Sequence, residues 1–383
     1  MIREEVNDPM SARRALSWGA RLLAAAKLDG PLLGAIGLLA VFALMVQYSA
    51  SGHSGKTVLA SLGRFGLGAF VMVALSQCSA NFLRRAAPWL YVIGMLMLFA
   101  VDAIGYNSKG ATRWLDIGFI RFQPSEVMKL AVPLLAAAWL HDRPLPPSWR
   151  DMAVVLILIM LPAALIVAQP DLGTALLIVG GGAILILMAG LHWKIIVALL
   201  AFGAIAITLG AIYGWDFLSP YQQKRIMVFL DPQSDPLASG YHINQSQIAI
   251  GSGGLFGKGW LHGSQAQLDF LPEGSTDFIF AVIGEEFGFL GAALLILLYV
   301  FIVTRAAYLA AHTSDTFSRL LASSIAYTFF MYVFINAGMV SGLLPVVGVP
   351  LPLVSYGGTS VVTLLAGFGI LMGLYARRKL VGG

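Results

Sequence analysis

Long apolar stretches separated by short polar connections dominate the chain. Stretches of membrane-spanning length, about 20 residues of near-continuous apolar sequence, lie at about 31–50, 58–76, 87–104, 124–140, 152–168, 172–190, 193–213, 277–304, 317–341 and 355–376. They predict ten transmembrane helices. The expected fold class is therefore all-α: a polytopic integral membrane protein with a large extracytoplasmic loop between its seventh and eighth spans. It is read as a single membrane domain, with a tail over 1–30, seven spans over 31–213, the large loop over 214–276, three spans over 277–376 and a second tail over 377–383. About thirty polar and mixed residues precede the first span, more than the charged segment that opens a cleavable signal, so that span is expected to stay. No repeat with a clear period is present. The Gly-xxx-Gly pairs Gly284/Gly288 and Gly369/Gly373 are read as points of close helix packing.

Charge sets the orientation. On this reading Arg3, Arg13, Arg14, Arg21, Lys27, Arg84, Arg85, Arg143, Arg150, Lys194, Arg305, Arg319, Arg377, Arg378 and Lys379 share the N-terminal side. Only Lys56, Lys109, Arg113 and Arg121 stand in short loops on the other side, and by the positive-inside rule both termini are cytoplasmic. Composition agrees: 58% of the 383 residues are apolar and 11% charged, against about 25% charged in soluble domains. That balance, with a mean hydropathy of +0.82, excludes a soluble enzyme or a disordered chain. A lone cysteine, Cys78, excludes an internal disulfide and a cysteine-based zinc site. No long basic run points to nucleic acid.

Three segments break the pattern of short connections, and all fall on the outer face: 105–123, 214–276 and the uncharged, proline-bearing 342–354. Function concentrates on long loops held by a rigid scaffold, so chemistry is expected outside. Tyr221 to Leu230 reads as an interfacial amphipathic helix and Tyr241 to Ile250 as a second short one, so the large loop is expected to lie on the membrane.

Familiar motifs fail on spacing. The run Gly251 to Gly259 has Ser252 where a Walker loop needs Gly and Gly259 where it needs Ser or Thr. A tight turn is the plain alternative to an anion-binding loop there. No two histidines stand at i,i+4 and no nucleophile-elbow serine is present.

Ionisable residues within spans carry more information, because lipid makes them costly. Glu126 and Lys129 stand at i,i+3, read either as a structural ion pair or as a site. Arg64 and Asp102 admit snorkelling or interfacial readings, and Asp171 follows Pro170 where it can cap the sixth span. Asp277 is placed in the first turn of the eighth span, where the big loop enters the membrane. Helix-end stabilisation explains it without chemistry. Glu285 and Glu286 lie deeper in the same span and are hard to explain as packing.

The string Leu271-Pro272-Glu273 through Thr276-Asp277-Phe278-Ile279-Phe280 to Glu285-Glu286 closely resembles the SEDS family of cell-wall proteins. Further strings in family order are Arg113-Trp114-Leu115-Asp116, Phe122-Gln123-Pro124-Ser125-Glu126 with Lys129, Gln169-Pro170-Asp171-Leu172-Gly173-Thr174, and Gly251–Gly259. Pro345 to Gly358 looks more like the family's elongation branch than its division branch. The resemblance covers about 31–379. Gly274 and Ser275 depart from it, standing where these proteins commonly show a basic residue and His.

The resemblance implies a ten-helix peptidoglycan glycosyltransferase that polymerises lipid II on the outer face of the bacterial inner membrane during elongation and shape maintenance. It implies a class B penicillin-binding transpeptidase and other elongation-complex proteins as partners, and Asp277 matches the family's essential acid. On that footing Asp277 is expected to act as general base on the acceptor 4-hydroxyl, with undecaprenyl pyrophosphate as leaving group. Arg113, Arg121, Lys129, Arg225 and Lys258 are outer-side candidates to stabilise the leaving charge, Lys129 with Glu126 first among them. The residues establish no cofactor, and a divalent cation, magnesium or manganese, is left open. The 342–354 loop is read either as a berth for the polyprenyl chain or as a surface anchor. A lipid II flippase and a non-catalytic scaffold for the transpeptidase are the alternatives.

Overall fold

A computed structural model describes residues 23–108, 111–116, 121–191, 239–268, 270–271 and 273–377, with a few isolated positions between 192 and 238. Its elements in chain order are α1 (Gly30–Ala50), α2 (Gly55–Ser76), α3 (Ala80–Ile104), β1 (Tyr106–Ser108), β2 (Ala111–Asp116), β3 (Arg121–Phe122), α4 (Pro124–His141), α5 (Trp149–Ala168) and α6 (Leu172–Met188). After the segment outside the described residues come α7 (Ser239–Gly253), α8 (Ser264–Gln267), α9 (Ile279–Ala311), α10 (Thr316–Val340) and α11 (Ser360–Arg377). Helices α1–α6 and α9–α11 coincide with predicted spans; the seventh span, 193–213, and the 221–230 helix lie outside the described residues apart from isolated positions. Among the described residues seven helices are long and apolar enough to cross a membrane. The chain is a multi-pass membrane protein whose described residues are mostly helical, with one small sheet.

Helix starts follow the sequence. The side chains of Asp29, Ser54, Ser79, Ser148, Asp171 and Asp315 each accept a hydrogen bond from a backbone N–H of the first turn. Proline occupies the first turn of α1 and α4, where its missing N–H leaves no bond unmade. Helices α10 and α11 form the centre, each with 67% of its most apolar window buried, whereas α2 has 17% and lies at the periphery. Gly369 and Gly373 bring α11 onto the main chain of Met72 and Ser76 in α2, so this pair does mark close packing.

The outer segments differ from expectation. Residues 105–123 contain a short antiparallel sheet in the order β1-β2-β3, with Asn107 opposite Thr112 and Leu115 opposite Phe122. Pairing the loop with itself satisfies backbone groups that a bundle end leaves unmet. The helix expected at 241–250 exists as α7, but it packs among the spans. Ile243, Ser246 and Ala249 are buried, and Ser246 Oγ lies 3.0 Å from the carbonyl of Val340. Residues 349–355 also turn inward: Val349, Leu351, Leu353 and Val354 are buried, and the carbonyls of Val354 and Pro352 accept from Gln47 and Tyr299 at 2.7 Å. That burial takes Val349 and residues 351–354 off the surface, while 342–348 stay half-buried or exposed, with Leu343 76% exposed.

Gly288 packs closely, but against the main chain of Gly257 and Leu255 in the glycine-rich run and not against another helix. Helix α9 breaks there, at φ 64° and ψ −164°, a conformation that only glycine adopts without strain. The glycine-rich run fills the break. Lys258 and Gly259 donate their N–H groups to the carbonyls of Glu285 and Glu286, both at 3.0 Å. In return Phe289 and Leu290 donate to the carbonyls of Gly254 and Leu255, at 2.9 and 3.1 Å. The run therefore splices the two halves of α9, supplying the bonds that its interrupted ladder lacks.

Candidate functional site

A cavity of about 310 Å³ opens where α4, α6, α10, β2, the turn before α9 and residues 348–360 converge. Its lining brings together Asp277, Glu126, Lys129 and Arg113, four residues scattered through the sequence, and adds Gln123, Asp171, Glu273, Tyr332 and Tyr356.

Asp277 lies in a turn two residues ahead of α9, which starts at Ile279 with Phe278 as its N-cap. It is thus not in the first helical turn, contrary to the sequence reading, and the turn's own bonds set its position. Thr276 and Phe278 donate their N–H groups to the Glu273 carbonyl at 3.1 Å, while Thr276 Oγ1 bonds Glu273 Oε2 at 2.7 Å. The turn is stitched to the inward segment. Tyr356 N–H donates to Ser275 O at 2.9 Å, and Ser355 Oγ donates to Thr276 O at 2.5 Å. Ser355 Oγ also accepts from Leu351 N–H at 2.8 Å. Asn336, wholly buried in α10, donates to the carbonyls of Asp277 and Val349, both at 2.8 Å. Gly348, at φ 72°, turns the main chain beneath the carboxylate, where an added Cβ would stand 3.5 Å from Asp277 Oδ2. Ser275 contributes its carbonyl, so the departure from the family string here concerns a residue used through its main chain.

Also in the lining, Lys129 and Glu126 form an ion pair of 2.7 Å with both side chains buried. Lys129 also donates to the Tyr332 hydroxyl, and its ammonium stands 4.8 Å from the centre of that ring. Glu126 Oε2 is buried with no hydrogen-bond partner among the described residues. Arg113 Nε donates to the carbonyl of Gln169 at 3.2 Å, and its Nη2 to that of Pro170. A guanidinium has five N–H donors, so three remain for other acceptors. Asp171 caps α6 through Thr174 N–H at 3.1 Å and accepts from Gln123 at 3.0 Å.

The other sequence candidates do not join this group. Lys258 is absent from the cavity lining; it pairs with Glu285 at 2.6 Å in the splice. Glu285 also accepts from Ser264 Oγ and Gln265 N–H at 3.0 Å, and Glu286 accepts from Ser49 Oγ. The two deep acids therefore hold the spliced loop against α9 and α1. Arg121 belongs to β3, its side chain outside the described residues, as is Arg225. Sequence reasoning missed Asn336, Tyr332, Ser355 and Tyr356. A lone amide in the apolar run 317–341 was a usable signal for Asn336. Nothing distinguished Tyr332 from its aromatic neighbours.

Among the described residues no three His, Cys, Asp or Glu side chains converge to hold a metal ion.

Comparison with known proteins places these observations. The family model of FtsW, RodA and SpoVE, described as cell cycle protein, matches residues 26–380. The peptidoglycan glycosyltransferase MrdB of Escherichia coli K12 is 48% identical over 358 residues, 92% of this chain and 95% of its own length. MrdB of Helicobacter pylori 26695 is 42% identical over 308 residues, 78% of each chain. Among solved structures, a chain from work on the structural coordination of polymerization and crosslinking by a peptidoglycan synthase complex superposes with a TM-score of 0.79 at 31% identity, covering 91% of this chain and 98% of that one. The rod shape determining protein RodA of Thermus thermophilus gives 0.69 at 28% identity, covering 91% and 97%. With a model match across nearly its whole length and a relative at 48% identity, the chain belongs to the FtsW/RodA/SpoVE family of SEDS proteins.

Proposed function

We propose that this chain polymerises lipid II into glycan strands during cell elongation, with Asp277 as the general base. Its family and its identity to MrdB make it a peptidoglycan glycosyltransferase. The observation that carries the finer reading is the cavity itself. Its lining brings together a carboxylate on a turn braced by Asn336, Ser355 and Tyr356, a buried lysine and Arg113.

In the proposed reaction the acceptor 4-hydroxyl oxygen attacks the donor's anomeric carbon from the face opposite the leaving group. The new glycosidic bond forms as the bond from that carbon to the pyrophosphate oxygen breaks. The electron pair departs with undecaprenyl pyrophosphate, the hydroxyl proton passes to Asp277, and the anomeric centre inverts. Charge building on the pyrophosphate is met by the N–H donors of Lys129 and Arg113. No step is routed through a metal ion.

The basic residues counted from sequence support an orientation with both termini cytoplasmic, which puts the cavity at the periplasmic face of the inner membrane. A class B penicillin-binding transpeptidase is the proposed partner, in keeping with the synthase complex whose chain superposes on this one.

The test is polymerisation of lipid II by purified protein in detergent, with and without the partner, for wild type and Asp277→Asn. Wild type is expected to make glycan without a sealed compartment, and the folded Asn variant to make none. Full glycan synthesis by that variant removes Asp277 from the chemistry. A wild type that moves lipid II only in sealed vesicles is a flippase.

A further inference from the structure

The Lys129 ammonium is an incomplete answer to a departing pyrophosphate. Its charge is offset by Glu126 at 2.7 Å, and the cavity lining contains four carboxylates, Glu126, Asp171, Glu273 and Asp277, against the two cations Arg113 and Lys129. A group that delivers polarised hydrogen without adding a carboxylate would meet the need. Tyr332 has that form. It borders the cavity from α10, its oxygen accepts from Lys129, and its own O–H has no acceptor among the described residues. A phenol whose oxygen already receives an N–H from a cation is a stronger donor through its own hydrogen, because the two bonds polarise each other. Burial sharpens this, since little water competes: Tyr332 is 1% exposed and Lys129 6%.

We propose that Tyr332 is a catalytic hydrogen-bond donor, relaying the Lys129 charge through its O–H to an oxygen of the polyprenyl-linked pyrophosphate as the glycosyl bond breaks. No proton leaves the phenol; the bond strengthens as negative charge develops on the phosphate oxygen. Glu126 then has a definite part. It keeps Lys129 in place and charged, so that one N–H points at Tyr332. This inference rests on the glycosyltransferase reading of the cavity and adds a donor to it.

Tyr332→Phe tests it, because the ring stays and only the hydroxyl that Lys129 donates to goes. Lipid II polymerisation in detergent is expected to lose about 100-fold in kcat, the scale of a single donor to a developing anion, with KM changed far less. Inhibition by undecaprenyl pyrophosphate is expected to weaken about tenfold, one bond of this class being about 1.4 kcal/mol. Inhibition by undecaprenol, which has no phosphate, should stay as in wild type. An unchanged kcat with unchanged pyrophosphate inhibition overturns the proposal, as does an equal loss of inhibition by both compounds.

Should the Phe variant fail to fold, 3,5-difluorotyrosine at position 332 keeps the shape and makes the O–H more acidic. Tighter pyrophosphate inhibition is expected, and no change defeats the idea. The inhibitor measurements repeated in an Asp277→Asn background read Tyr332 without turnover, so failure of the base assignment and failure of this inference are told apart.

Discussion

Asn336 Nδ2 sits 2.8 Å from the carbonyl oxygen of Asp277 and 2.8 Å from that of Val349, tying the turn that carries the acid to the inward segment beneath it. The assignment of the amide nitrogen follows from the network, since its oxygen facing two carbonyls would be repulsive. The main chain at Asp277 is thus held from α10, 59 residues further along the chain.

Asn336→Leu keeps the volume and removes both bonds. Each stranded buried carbonyl is expected to contribute a loss of about 1–3 kcal/mol, read as a lower melting temperature in detergent. Polymerisation is expected to fall about tenfold or more, mainly in kcat, because a displaced base alters the reaction geometry more than substrate capture. A variant with normal kcat and normal melting would show the clamp to be dispensable.

The α9 splice makes a sharp prediction about Gly288. A Cβ there meets the main chain of Gly257 and Leu255 at a positive φ, and backbone strain of this kind costs about 1–3 kcal/mol before any clash is added. Gly288→Ala should lower the melting temperature clearly. Gly37→Ala, on α1 with nothing within 4 Å of the added methyl, should leave it equal or raise it. Equal melting of the two variants would contradict the splice.

Lys258→Met separates a structural lysine from a substrate-binding one. Glu285 is wholly buried, so the change leaves a buried carboxylate whose remaining partners among the described residues are Ser264 and Gln265. Removing one member of a buried pair costs about 3–5 kcal/mol. With Lys258 30% exposed, water compensates in part, and a loss of about 1–3 kcal/mol is expected. Adding Glu285→Gln should restore most of it. The lipid II KM of the folded single variant should match wild type; a large rise would return Lys258 to the substrate site.

Tyr356 stacks beneath the Arg64 guanidinium, 4.2 Å from the ring centre, and its hydroxyl accepts from Arg64 Nη2 at 2.9 Å. Tyr356→Phe keeps the stacking and removes the bond. A modest destabilisation of about 1.5–3 kcal/mol, as for a hydrogen bond to a charged group, is expected. Arg64→Met loses both contacts and should melt lower still, and the reverse order would refute a joint role.

What could be read from the chain alone was whatever a contiguous window contains. A run of twenty apolar residues needs lipid or burial wherever it folds, so α1–α6 and α9–α11 were legible as spans. Asp171 as a cap, Glu126 beside Lys129, and Gly369 with Gly373 as packing points were legible too, because each acts on neighbours one helical turn away or on a surface that its own helix presents. The glycine-rich run failed as a phosphate loop on spacing and left a tight turn or an anion loop as readings, because a window cannot show that its amides face the broken ladder of α9. Lys258 looked available for the same reason, its partner Glu285 lying 27 residues away. Tertiary structure alone decided that residues from α4, α10, β2 and two inward-folded loops share one cavity, and that Asn336 and Tyr332 belong to it. The reason is physical. Helix formation and membrane insertion are governed by local hydrogen bonding and transfer from water, whereas a polar site in lipid exists only where distant groups satisfy one another's buried donors and acceptors.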